Sequence, residues 1–197
     1  MTGRTAHIER TTRETDIALS IDLDGTGATD VDTGIGFFDH MLTAFGRHGL
    51  FDLTVRAKGD LQVDGHHTVE DVGIVVGRAF AEALGDKHGI RRFGSIALPM
   101  DEALILAACD ISGRGQLFWD ADVPAVMVGA FDATLAKEFF IAFAANAGVT
   151  LHVRELAGEN THHVIESMFK AVARAMREAV EADPRMGDAL PTTKGML

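Results

Sequence analysis

Two short stretches of the chain carry the residue types of a metal site. Residues 66–71 read HHTVED and residues 162–167 read HHVIES, so a histidine pair with a glutamate four places after its first member occurs twice, 96 residues apart. On an α-helix, positions i and i+4 lie on one face about one turn apart. His66 with Glu70, and His162 with Glu166, can therefore each grip one ion. The neighbouring His67 and His163 point about 100° away and are free to reach a second ion. Imidazole and carboxylate donors without thiolate suit manganese, iron or zinc, and argue against a closed structural zinc site. A single HHxxE is as readily a solvated or capping pair at a helix start; its recurrence in register favours ligation.

The recurrence extends beyond the histidines. RETDIALSIDLDGTG (13–27) aligns with DEALILAACDISGRG (101–115) at an offset of 88, pairing Glu14 with Glu102, Gly25 with Gly113 and Gly27 with Gly115. DHMLTAFGRHGLFDLTV (39–55) aligns with KEFFIAFAANAGVTLHV (137–153) at an offset of 98, which sets His40 on Glu138 and Phe45 on Phe143. Three blocks in one order with drifting offsets are two copies of a unit of about 90 residues, the drift marking loop insertions.

His40 and Glu138 are both metal-competent and complete four ligands per ion. The expected sets are His40, His66, Glu70 and His163 at one ion, and His67, Glu138, His162 and Glu166 at the other. In this arrangement each copy supplies most of one site and lends its second histidine to the other.

The elements that must position these residues follow from hydrophobic periodicity. Strands are predicted over 15–23 and 103–111, each ending in a Gly-rich turn, and helices over 36–47 and 133–147. Further strands are predicted over 51–57 and 149–156, with long second helices over 66–84 and 162–182. Residues 92–98 and 116–119 read as additional strands. The fold class is α+β, a duplicated two-layer unit of about four strands and two helices. Residues 1–90 form the first unit, 91–183 the second, and 184–197 an exposed tail or an arm reaching a partner.

A chain of 197 residues with 47% hydrophobic and 24% charged residues has the balance of a globular protein with a sizeable core. The formal charge of −11 argues against nucleic acid as a partner. It also requires any anionic substrate to be held by a local cluster of cations. The single cysteine, Cys109, excludes an internal disulfide and fits a reducing cytoplasm. The polar start MTGRTAHIERTTRE and the lack of a long apolar run point to a cytoplasmic protein without membrane contact.

DLDGTG (22–27) fits the nucleophile loop DxDGT of haloacid-dehalogenase-type phosphatases. No acidic pair follows late in the chain, and the equivalent DISGRG (110–115) lacks the second aspartate. A strand-ending glycine turn explains both copies.

The stretches FFDHML, HHTVED, RRFGS, ACDISGRG, AGENTHHVIESMFKA and PTTKG together closely resemble the imidazoleglycerol-phosphate dehydratase family, over nearly the whole chain and without an attached phosphatase domain. The resemblance implies dehydration of imidazole-glycerol phosphate to imidazole-acetol phosphate in histidine biosynthesis. It implies a left-handed crossover in each unit, two divalent ions per site, usually Mn²⁺, and a homo-oligomeric shell of 24 subunits with active sites at subunit contacts. The substrate's imidazole would bridge both ions as an imidazolate, expel the adjacent hydroxyl and lose a neighbouring C–H proton. Carried over by position, Glu14 is the base or proton shuttle, with Asp101 and Glu102 as weaker candidates. His48, two turns past His40, would donate a proton to the leaving hydroxyl. Arg92, Arg114, Thr192, Thr193 and Lys194 would hold the phosphate. Lys170, four places after Glu166, can point into the same site. Many family members carry histidine where this chain has Glu138, and serine where it has Thr192. A dimetal hydrolase using a bridging hydroxide, and a metal-storing shell protein, are the alternatives.

Overall fold

The strands and helices alternate as β1 (Thr5–Thr11), β2 (Thr15–Asp22), β3 (Thr29–Asp32), α1 (Gly36–Gly49), β4 (Asp52–Gly59) and α2 (His66–Leu84) in the first half. The second half repeats the order as β5 (Phe93–Met100), β6 (Ala103–Asp110), β7 (Gln116–Asp120), α3 (Leu135–Ala147), β10 (Thr150–Ala157) and α4 (Thr161–Val180). A small hairpin, β8 (Met127–Val128) and β9 (Phe131–Asp132), is inserted before α3. The structure, a computed structural model, describes residues 3–195 and 197.

Each half builds one sheet, in the orders β1-β2-β4-β3 and β5-β6-β10-β7, with β3 parallel to β4 and β7 parallel to β10. β2 shows why: Ile17, Leu19 and Ile21 alternate inward while Asp16, Ala18, Ser20 and Asp22 alternate outward, the period of a strand covered on one face. Each sheet is covered by its own two helices, so each unit is two layers. The units meet helix to helix, α1 against α4 and α2 against α3. Gly73 and Gly77 allow the second contact, because a Cβ there would lie 2.8 Å from Phe139 O and 2.7 Å from Phe143 O. Phe45 and Phe143, equivalent in the repeat, meet each other with centroids 5.8 Å apart. Two equivalent side chains in mutual contact lie on the pseudo-twofold between the units.

α2 matches its predicted bounds, and the other helices match within two residues. β1 and β3 are strands that periodicity did not reveal. Both lie at sheet edges, and β3 buries little beyond Val31. The rise in repeat offset from 88 to 98 is the length of chain that holds the β8–β9 insertion. The tail is not a free arm over its described residues: Ala189 O accepts from Gly89 N at 3.0 Å and Pro191 O from Arg92 Nη1 at 2.7 Å. Among the described residues no helix is long and apolar enough to cross a membrane.

Candidate metal and substrate site

The first turn of α4 is fixed by Asn160, whose side chain accepts from His162 N at 2.9 Å and His163 N at 3.4 Å. One turn on, Glu166 is buried, and three groups converge on it. His40 Nε2 from α1 lies 3.3 Å from Glu166 Oε2, His162 Nε2 lies 3.1 Å from the same oxygen, and Lys170 Nζ lies 2.7 Å from Oε1. Burial alone would raise the Glu166 carboxyl; Lys170 and then His40 outweigh it and hold it below its usual range. One donor atom from each of His40, His162 and Glu166 lies within 4.8 Å of the others.

The sequence groups His40 with His66, Glu70 and His163; in the structure it stands with His162 and Glu166. The reason is the packing of α1 on α4 and of α2 on α3, which faces the upstream donor of each unit toward the HHxxE helix of the other. Glu138 lies in the first turn of α3, the helix that packs on α2, whose first turns carry His66 and Glu70. His66 and Leu135 at the start of α3 line one pocket. That second trio is looser: His66 Nε2 is 3.9 Å from Glu70 Oε2, and among the described residues no third donor closes on them within 4.8 Å. Two carboxylates with no cation between them repel, whereas His40 and His162 gather on a single carboxylate balanced by Lys170.

The second histidine of each pair meets acidic groups instead. His67 Nδ1 is 3.1 Å from Asp60 Oδ2, and its Nε2 is 3.8 Å from Glu14 Oε1. His163 Nδ1 is 2.8 Å from Glu102 Oε2, and its Nε2 is 3.9 Å from Asp101 Oδ2. The Asp60 hydrogen bond raises the His67 imidazole, and the Glu102 hydrogen bond raises His163. A carboxylate behind an imidazole fixes its ring and tautomer for a metal. Glu14 and Glu102, equivalent in the repeat, differ in freedom. Glu102 Oε1 also accepts from Asn160 N at 2.9 Å, and its carboxyl is pulled down to about 2 by His163 first and the Asn160 amide next. The Glu14 side chain is 53% exposed and, among the described residues, makes only the long His67 approach.

His48 lies on the His40 face of α1, two turns on. Burial, then the charges of Lys170 and Arg174, lower its imidazole, with Glu166 opposing. Arg174 is a further cation near His48, one that the sequence motifs do not single out. Asp60 was missed too, and has no counterpart carboxylate in the second unit to signal it.

The expected phosphate cations sit elsewhere. Arg92 grips Asp110 through Nε at 2.7 Å and Nη2 at 3.1 Å, and Arg114 Nη2 is 3.6 Å from Asp110 Oδ2. Thr192 Oγ1 accepts from Lys194 N at 3.1 Å, while Thr193 and Lys194 are exposed. Asp110 ends β6 and Glu102 precedes its start. At the rise of an antiparallel strand, about 24 Å separates this cluster from His163. A small substrate cannot span the two within one chain.

DLDGTG is a structural turn. Asp52 Oδ1 accepts from Thr26 N and Ala28 N at 2.8 Å each, Asp24 pairs with Arg4, and Asp22 Oδ1 accepts from Asp24 N at 2.9 Å.

Fold and site together define an α+β enzyme made by duplication, with imidazole and carboxylate donors gathered at its helix starts. The profile of imidazoleglycerol-phosphate dehydratase matches residues 33–176. The imidazoleglycerol-phosphate dehydratase of Granulibacter bethesdensis is 63% identical over 194 residues, covering 98% of this chain and 99% of its own. That of Acidiphilium cryptum is 62% identical over 195 residues, covering 99% and 100%. The crystal structure of the Staphylococcus aureus enzyme superposes with a TM-score of 0.82 at 40% identity, covering 91% of this chain and 99% of its own. The Pyrococcus furiosus enzyme, solved in complex with (S)-C348, gives 0.83 at 37% identity, covering 96% and 100%. The chain belongs to the imidazoleglycerol-phosphate dehydratase family and is a hydro-lyase.

Proposed function

We propose that the chain dehydrates D-erythro-imidazole-glycerol phosphate to imidazole-acetol phosphate in histidine biosynthesis, in the cytoplasm, with two divalent ions, Mn²⁺ by preference. The convergence of His40, His162 and Glu166 from both units carries this reading. Their nitrogen and oxygen donors without thiolate fit a hard or borderline divalent ion. These three would hold one ion, and His66, Glu70 and Glu138 the other. When bound, the ions supply Lewis-acid charge that holds and polarises the substrate's imidazole.

Glu14 takes the carbon-bound proton, because its carboxylate is free where Glu102 is clamped. His48, when protonated, gives its proton to the departing hydroxyl, which leaves as water; its lowered pKa makes the protonated form scarcer but more acidic. Lys170 keeps Glu166 charged. The enol left by loss of water tautomerises to the ketone.

Arg92, Arg114, Thr192, Thr193 and Lys194 hold the phosphate from a neighbouring copy, a reading that the separation along β6 supports. His67 and His163, occupied by carboxylates in their own chain, serve ions bound by a neighbour in the same way. An assembly of 24 copies follows from the family resemblance, and the outward Phe118 and Leu156 of the second sheet offer apolar surface for contacts between copies. The test is turnover of imidazole-glycerol phosphate by metal-stripped protein with and without added Mn²⁺. Product only with metal is expected; absence of product with two ions bound per chain contradicts the reading.

A further inference from the structure

The first unit holds a buried polar cluster that the second lacks. Arg10 on β1, Thr15 on β2 and Asp71 on α2 meet behind the histidine turn. Thr15 Oγ1 donates to Asp71 Oδ2 at 2.5 Å, and Arg10 Nη1 lies 2.6 Å from the same oxygen, close but without a well-aligned hydrogen bond. Asp71 is 7% exposed and Thr15 3%.

Strand register identifies the counterparts. Arg10 stands opposite Ile17 as Leu98 stands opposite Ile105, Thr15 opens β2 as Ala103 opens β6, and Asp71 follows Glu70 as Ser167 follows Glu166. In the second unit Leu98 packs on the core, Ala103 is buried, and Ser167 turns its hydroxyl back to Val164 O at 2.8 Å. The same scaffold therefore closes this space without charge. A buried ion pair is a poor source of stability where an apolar set fits.

The charged cluster sits where it can set the geometry of reacting groups. Asp71 directly follows Glu70, and Thr15 directly follows Glu14. The amides of Glu14 and Thr15 donate to Thr12 Oγ1 at 3.1 and 3.0 Å. Glu14 O accepts from Asp60 N at 3.1 Å, and Asp60 holds His67. The second unit ties its strand to its helix through the Glu102 side chain, which bonds both Asn160 N and His163. That tie consumes the carboxylate.

We propose that Arg10, Thr15 and Asp71 are positioning residues that lock β2 to the first turn of α2, leaving the Glu14 carboxylate at a fixed place and free to act on substrate. The proposal rests on the reading of Glu14 as the proton-transfer group. It is tested by installing the second unit's residues, Arg10→Leu, Thr15→Ala and Asp71→Ser together. This triple variant should fold and melt no lower than the parent. Its kcat should fall about 10- to 100-fold with KM little changed, the size expected for a residue supporting a site group. In the metal-free protein, hydrogen exchange at the Glu14, Thr15 and Asp60 amides should quicken at least about tenfold, with the second unit unchanged. Thr15→Val should give a smaller loss of the same kind, and Thr15→Ser should restore the parent. Parent kcat and parent exchange in the triple variant would overturn the proposal, as would a failure to fold, which would make the cluster a stability element. Full activity in Glu14→Gln would instead refute the role of Glu14 while leaving the exchange result intact.

Discussion

The first unit meets its second histidine with Asp60 and a loosely held Glu14, whereas the second meets it with Asp101 and a Glu102 bonded on both oxygens. The upstream donor is an imidazole, His40, in one unit and a carboxylate, Glu138, in the other. The backbone and the first histidine and glutamate of each helix are shared. Duplication has kept the places of these histidines and glutamates and let the groups around them diverge, so equivalent residues hold different charge and different freedom. One carboxylate is exposed and loosely held, and its twin is bonded on both oxygens.

The comparison breaks most visibly at those twins. Glu14→Gln should lower kcat by about 10²- to 10⁴-fold, the span of general base catalysis, while Glu102→Gln should cost far less kcat and act chiefly on the start of α4. Equal losses in steady-state turnover would erase the distinction. Next in size is the buried cluster. Asp71→Ala leaves the half-buried Arg10 and the buried Thr15 hydroxyl without their partner and should destabilise by about 1–3 kcal/mol. Ser167→Ala, which removes a hydroxyl bonded within its own helix, should cost less than about 1 kcal/mol. Urea unfolding of both variants measures the contrast.

A smaller effect of opposite sign is expected at Thr68, whose hydroxyl is buried with no hydrogen-bond partner among the described residues where the second unit has Val164. Thr68→Val should be neutral or stabilising by up to about 1 kcal/mol, and a clear drop in melting temperature would show a partner for that hydroxyl. The weakest contrast concerns acid. Bonds from Ala28 and Thr26 hold the Asp52 carboxyl below its usual range. A depressed pKa contributes stability that is present above the unfolded value and lost as pH falls through the folded one. The amides of Thr26 and Ala28 should therefore lose exchange protection below pH about 4. The turn of the second unit, where the hydroxyl of Thr150 stands in the place of Asp52 and donates to Arg114 O at 3.0 Å, should not. Protection that is flat with pH in both turns would refute the asymmetry.

Much of the fold was legible because the core alternates at strand and helix periods, as in β2, β6 and α2. The edge strands β1 and β3 were not, since they bury one half-hidden face and read as polar chain. The insertion of β8 and β9 was visible only as an offset drift. At the site, residue types were readable and their grouping was not. His40 and Glu138 fall at equivalent positions, but which HHxxE helix each faces is decided by helix packing across the pseudo-twofold, a tertiary fact with no local signal. Asp60 and the Arg10–Thr15–Asp71 cluster lack repeat counterparts of like chemistry, so a search for repeats passes over them.

The central claim is that each ion is held across the boundary between units, His40 with Glu166 and Glu138 with Glu70. Metal content per chain after Mn²⁺ loading tests it in His40→Ala, in His40→Ala with Glu166→Gln, and in His40→Ala with Glu70→Gln. One ion should remain in the first two proteins and none in the third. Loss of both ions in the His40 and Glu166 pair, with one retained in the His40 and Glu70 pair, would contradict the account.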